Sequence, residues 1–296
     1  KEDGSIWIDL TAEGLDQKVV LRSNGTSVYI TQDIATANEK ERDFPIDKSI
    51  YVVGNEQDYH FKVLFLILKK LGKSYADHLF HLSYGMVELP TGKMKSREGT
   101  VVDADDLAKE VIDRAEEVTR AQGRIDHLSE SEKKELFRIL GLGALKYFIL
   151  KVDPKKKMVF NPEESVDLQG NTGPFIQYSH ARIRSVILNS DKNDNELLNL
   201  PIPAIDSLQK EELELLRLQH AFPSIIAEAC LTYSPALIAN FVYELARNFN
   251  QFYHEHSVLK AESQEIRQFR LQLSLKTGYL IRDAMKLLGI AVPERM

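Results

Sequence analysis

The run Ser49-Ile50-Tyr51-Val52-Val53 closes on Gly54 and gives way, between Glu56 and Leu71, to apolar residues Phe61, Leu64, Phe65 and Leu68 at the helical period. A β-branched strand, a glycine turn and a helix in that order form the unit of open parallel α/β sheets, which take ligands outside the carboxyl ends of their strands. Gly54, Glu56, Gln57 and His60 are therefore expected at the mouth of a crevice. A second strand is predicted over Leu79 to Leu89, through His81, Leu82, Tyr84, Met86 and Val87, so that two successive strand ends converge there. From it hangs the stretch Leu89-Pro90-Thr91-Gly92-Lys93-Met94-Lys95-Ser96-Arg97-Glu98-Gly99-Thr100. Pro90, Gly92 and Gly99 break regular structure on both sides, and alternation aims Lys93, Lys95 and Arg97 together at one polyanion. On charge alone a solvated basic turn is the competing explanation; the converging strand ends favour a phosphate clamp.

The chain starts with a β-rich segment (Ile6 to Leu10, Val19 to Arg22), a turn at Ser23-Asn24-Gly25-Thr26, and a helix near Tyr29 to Asn38. Tyr29 and Asp33 are four apart, which on a helix stacks them on one face, a phenol and a carboxylate on the same wall. A rigidly held carboxylate suits a planar guanidinium, whose fork an ammonium cannot imitate. The alternative gives Asp33 to the positive end of the helix dipole and makes Tyr29 a partly buried ring.

Beyond Val102 the composition turns helical. Asp103 is placed to cap a helix carrying Leu107, Val111, Ala115 and Val118, and Ser129 with Glu132 has the capping-box spacing for a helix running to Lys151. Breakers then cluster in Asp153-Pro154, Asn161-Pro162 and Gly170-Asn171-Thr172-Gly173-Pro174, dividing the chain into residues 1–158 and 159–296. From Phe175 onward only helices are expected: Phe175 to Leu188, Leu208 to His220, Ser224 to Thr232, Pro235 to Glu255 and Ser263 to Leu288. They form a bundle in which Tyr178, His180, Arg182, Asn250 and Tyr253 are candidates to stack on or hydrogen-bond unpaired bases, although packing explains each singly.

Charge limits the partners. The 296 residues carry a net charge of −6, with 25 basic and 27 acidic residues in 1–158 and 13 and 17 in 159–296. Neither part is a basic module, so nucleic-acid contact must rest on local patches such as Lys151 with Lys155 to Lys157, or Arg182 and Arg184, and on stacking. The single cysteine, Cys230, excludes a disulfide framework, and no histidine pair is spaced for a metal. No leader pattern opens the chain, and the longest apolar run, Val63 to Leu68, is too short to cross a bilayer; a cytoplasmic location is expected.

Five segments together resemble the carboxyl-terminal part of arginyl-tRNA synthetases, which are class I enzymes: Gly25-Thr26-Ser27-Val28-Tyr29-Ile30-Thr31-Gln32-Asp33-Ile34, Tyr51 to Phe61, the loop Gly92 to Thr100, Thr172 to Arg182, and the ending Leu288 to Met296. The resemblance covers the whole chain. It implies an α/β plus all-α protein, the second half of a Rossmann-type parallel-sheet catalytic domain followed by a helix-bundle anticodon-binding domain of the DALR type. The implied reaction joins L-arginine to ATP as arginyl-adenylate and transfers it to the arginine tRNA, with Mg2+ accompanying ATP, no tightly bound metal, and a monomeric full-length protein.

Carried onto this chain, the resemblance makes Lys93, Lys95 and Arg97 the catalytic cations and Tyr29, Asp33 and Gln57 the arginine contacts. Gly54, Glu56, His60 and Met86, with Lys93, Met94 and Ser96, fall on the ATP side, and Tyr178, His180, Arg182, Asn250 and Tyr253 on the tRNA. Two features depart from the family pattern. Lys93-Met94-Lys95-Ser96-Arg97 has serine where the signature Lys-Met-Ser-Lys-Ser has its second lysine, and His-Ile-Gly-His is nowhere in the sequence. The start at Lys1 then reads as the start of a fragment that is inactive alone. Two other readings compete: a stand-alone tRNA-binding module with a vestigial nucleotide fold, and a nicotinamide-dependent oxidoreductase, which the lack of any Gly-x-Gly-x-x-Gly after a strand disfavours.

Overall fold

A computed structural model describes residues 1–44, 46–90, 103–123 and 125–296. The described residues form two compact units, Lys1–Met86 with Lys155–Lys157, and Val87–Pro154 with Met158–Met296.

In the first unit, β1 (Ile6–Ile8) pairs antiparallel with β2 (Lys18–Leu21). The turn that follows bends at Gly25, whose φ of 79° a side chain would resist, and the Asn24 carboxamide oxygen accepts from the Thr26 amide at 3.0 Å. Helix α1 (Tyr29–Asp43) is longer than the sequence reading gave, its buried anchors being Ile30 and Ala37. Strand β3 (Ser49–Gly54) lies parallel to β4 (Leu79–Tyr84), with Ser49 opposite Leu79 and Gly54 opposite Tyr84. A short 3-10 turn, Asn55–Gln57, leads from β3 into α2 (Asp58–Lys70).

The apolar period of α2 buries Phe61, Leu64, Ile67 and Leu68 against Leu10, Ile30 and Tyr75. Each such side chain stabilises the fold by about 1.5–3 kcal/mol relative to exposure. Along β3 the core takes alternate residues: Tyr51 and Val53 pack inward while Ile50 and Val52 are exposed.

The strand expected over Leu79 to Leu89 is divided. A Cβ on Gly85 would fall 2.2 Å from the Lys156 carbonyl oxygen, so a distant backbone segment crosses there and interrupts the pairing.

In the second unit, β5 (Val87–Glu88) runs parallel to β6 (Met158–Val159). Helix α3 (Ala104–Ala121) is capped by Asp103, and α4 (Glu130–Leu150) by the reciprocal Ser129 and Glu132 capping box. The short α5 (Pro162–Ser165) precedes α6 (Gly173–Leu188), α7 (Asp194–Asn199), α8 (Lys210–Thr232), α9 (Pro235–Glu255) and α10 (Gln264–Leu287).

Compactness thus divides the chain after Met86, whereas the sequence reading divides it at residue 158. The reason is close helix crossing. A Cβ on Gly141 would sit 2.6 Å from the Ile112 Cα, and one on Gly173 2.5 Å from the Gly143 carbonyl oxygen, so glycines let α3, α4 and α6 approach backbone to backbone.

The break expected between His220 and Ser224 is absent. Pro223 sits inside α8, and the helix runs through it because Leu215, Phe222 and Ala229 are buried on one face. The Phe222 ring stacks on Phe241 of α9 at 5.1 Å between centroids. Tertiary packing outweighs the missing N–H.

Candidate functional site

In the first unit the site is built on the opening turns of α1 and α2. Tyr29 is the first residue of α1 and 83% exposed, so it is not the partly buried ring of the alternative reading. Asp33 stands one turn further on. Its Oδ2 meets the Nε2 of His60, on α2, at 2.7 Å. The carboxylate only accepts, so Nε2 carries the proton. The sequence reading gave His60 to the adenosine side; the structure joins it to Asp33, because the first turn of α2 brings the ring within hydrogen-bonding distance of the carboxylate on α1.

Gly54 is the last residue of β3, and Glu56 and Gln57 are exposed on the 3-10 turn beyond it, so the strand end and the Asp33–His60 pair belong to the same local structure. Among the described residues, a Cβ on Gly54 would meet only the Tyr84 ring, at 3.8 Å, an ordinary contact. Met86 is half-buried just past Gly85. Lys93, Met94, Lys95, Ser96 and Arg97 lie outside the described residues.

Asp58 is a residue that sequence reasoning missed. Its Oδ1 accepts from Ser83 Oγ at 2.6 Å and lies 3.4 Å from His81 Nδ1, while His81 Nε2 is 3.0 Å from the Val53 carbonyl oxygen. The start of α2 is thereby fastened to the carboxyl ends of both parallel strands. Nothing local in the sequence signals it, since its partners come from the next strand.

In the second unit, Tyr178 and Arg182 rise from α6 and Asn250 and Tyr253 from α9. The Arg182 guanidinium lies over the Tyr178 ring at 4.8 Å and over the Tyr253 ring at 5.3 Å. It donates to Asn250 Oδ1, and Asn250 Nδ2 donates to Ser179 Oγ at 2.7 Å. The two rings and the cation form a stack on the wall of a cleft of about 500 Å³, whose lining also includes His127, Asn189, Arg295 and Met296. Stacked rings beside a guanidinium are what an unpaired base recognises.

His180 is the exception among the five. It is 1% exposed, and its Nδ1 lies 3.0 Å from the Pro293 carbonyl oxygen. A base cannot reach it; it faces away from the cleft because α6 turns it onto the chain's last segment. Gln177 Nε2 likewise donates to the Ala291 carbonyl at 2.7 Å and Lys146 Nζ to that of Gly289 at 2.6 Å. Between these anchors Ile290 and Val292 pack into the apolar core.

Two other suggested cations are already engaged. Arg184 is held by Asp194 at 2.8 Å and Glu294 at 2.6 Å. Lys151 donates to the Asn171 carbonyl at 2.8 Å, and burial lowers its pKa.

A parallel strand pair in one unit and a bundle of helices in the other are what the resemblance to class I aminoacyl-tRNA synthetases implies. Residues 1–161 match the family described as tRNA synthetases class I (R), catalytic domain, and residues 176–296 match the DALR anticodon binding domain; the chain belongs to the arginyl-tRNA synthetase family of class I. Over its whole length it is 53% identical to the arginine-tRNA ligase of Parabacteroides distasonis and 54% identical to that of Bacteroides thetaiotaomicron, covering 49% of each. The chain thus spans about half the length of the curated relatives it matches. Among solved structures, Thermus thermophilus arginyl-tRNA synthetase is similar with a TM-score of 0.86 at 26% identity, over 99% of this chain and 54% of that one. The Plasmodium falciparum enzyme gives a TM-score of 0.82 at 24% identity, over 99% of this chain and 49% of that one.

Proposed function

We propose that this chain is the carboxyl-terminal part of an arginine-tRNA ligase, which activates L-arginine with ATP to arginyl-adenylate and passes it to the arginine tRNA. The observation that carries the reading is the Asp33 carboxylate, held by His60 on α2 and half-exposed one turn after Tyr29. A carboxylate so placed answers a guanidinium, with Tyr29 and Gln57 as further contacts.

The arginine carboxylate attacks the α-phosphate in line, and protein groups act by positioning and by meeting charge on the departing pyrophosphate. Lys93 and Lys95, with Arg97, take the second role in this reading; Gly54, Glu56, Met86, Met94 and Ser96 face ATP, with Mg2+ accompanying it. Tyr178, Arg182, Asn250 and Tyr253 receive bases of the tRNA. The intact enzyme is read as a cytoplasmic monomer; among the described residues no helix is long and apolar enough to cross a membrane. Residues 1–158 act as the catalytic part and 159–296 as the anticodon-binding part.

Arginine-dependent pyrophosphate exchange tests the reading. The intact enzyme should exchange label into ATP only with arginine present, and the chain of 296 residues alone should not. Exchange by this chain alone at the intact rate, or exchange with lysine as readily as with arginine, would defeat it.

A further inference from the structure

We propose that His60 is a positioning residue for arginine selection, acting through Asp33, and is not a contact to adenosine; this rests on the proposed function above. The Nε2–H of His60 holds Asp33 Oδ2 at 2.7 Å. Among the described residues, Asp33 Oδ1 has no hydrogen-bond partner, and the side chain is 45% exposed. A carboxyl group has about four lone-pair sites. His60 takes one of them, leaving Oδ1 and the second lone pair of Oδ2 for the two N–H groups of a guanidinium edge.

Without such a partner an aspartate on a helix surface moves among its staggered rotamers, and a planar fork then meets a target of uncertain orientation. His60 restricts that freedom, its side chain being only 28% exposed. Its ring stands edge-on to Phe61 at 5.7 Å between centroids, and Phe61 is buried against Tyr51, Phe65 and His81. The rigidity of the α2 core is thus handed to the carboxylate on α1. An ammonium, a point charge without a plane, gains little from a fixed carboxylate orientation. The pair therefore favours arginine over lysine beyond the charge alone.

The test is steady-state pyrophosphate exchange by the intact enzyme with His60→Phe, His60→Gln, Asp33→Asn and the Asp33→Asn/His60→Phe double variant. His60→Phe should raise the KM for arginine about ten- to a hundredfold, the scale of a hydrogen bond to a charged group, and leave the KM for ATP unchanged. His60→Gln, which keeps an N–H, should recover most of that loss. In the Asp33→Asn background His60→Phe should add little, because there is no carboxylate left to orient. Thermal melts accompany each variant, and His60→Asn, whose amide is too short to reach, replaces His60→Phe if that variant melts early.

A rise in the KM for ATP, or equal effects of His60→Phe with and without Asp33, would overturn the proposal while leaving the arginine site in place. No change in arginine KM on Asp33→Asn would remove the arginine site itself.

Discussion

The Nδ1–H of His180 holds the carbonyl of Pro293 at 3.0 Å, inside the helical unit and out of reach of solvent. Burial disfavours the charged imidazole and lowers its pKa from 6.5, with Arg184 and Arg282 adding to the effect and the Pro293 carbonyl and Glu294 opposing it. The unfolded chain therefore takes up a proton at His180 at a higher pH than the folded one. Stability from this group is complete above that unfolded value and is lost as pH falls below it. Urea unfolding at about pH 7.5 and about pH 5.5 should show a larger loss for the native sequence than for His180→Asn, whose amide keeps a donor without a proton to gain.

Tyr253 is 41% exposed on the rim of the cleft, with the Arg182 guanidinium over its ring. Tyr253→Ala removes one layer of the stack and little of the core. Under the proposed function, the affinity of the intact enzyme for the arginine tRNA should fall by about 1–3 kcal/mol, roughly five- to 150-fold in Kd, with an unchanged melting temperature. Fluorescence anisotropy with labelled tRNA measures it; an unaltered Kd would take Tyr253 out of the interface.

Arg270 and Glu212 are each 3% exposed and meet at 2.7 Å between Nε and Oε1. Glu212 also accepts the Gln209 amide at the start of α8, and Arg270 also donates to the Ser257 carbonyl at 2.9 Å. Arg270→Met should destabilise the protein by about 3–5 kcal/mol, since it strands a buried carboxylate. Combining it with Glu212→Leu should recover most of that, short of about 1 kcal/mol for the lost helix cap. Denaturant midpoints of the single and double variants decide it.

Gly173 starts α6 where a Cβ would lie 2.5 Å from the Gly143 carbonyl oxygen and 3.1 Å from the Tyr147 Cβ. Because the first obstacle is backbone, Gly173→Ala should cost about 1–3 kcal/mol and lower the melting temperature, despite alanine's better helix propensity. Gly123→Ala is a useful contrast: among the described residues nothing lies within 4 Å of its Cβ position, and the cost expected there comes from its φ of 66°.

The features legible in the sequence were those whose cause is local. Ser129 and Glu132 cap α4 across one turn, and Tyr29 and Asp33 share a helix, so spacing alone predicted both. The strand break at Gly85 was not legible because its cause is Lys156, far along the chain. Pro223 misled for a related reason: its local cost is visible in the sequence, whereas the packing of Phe222 on Phe241 that overcomes it is not. The Asp33 and His60 contact spans 27 positions and that of His180 with Pro293 spans 113, so no window of sequence contains either.

The closing segment alternates: carbonyls of Gly289, Ala291 and Pro293 are taken by Lys146, Gln177 and His180, while Ile290 and Val292 enter the apolar core. Such a segment has a phase. Deleting one residue from it would turn amide oxygens toward the hydrocarbon interior and aliphatic side chains toward the helix donors, so frame matters more here than composition. Alanine for Val292 is a small loss of packing; removal of Val292 exchanges the two faces of everything after it.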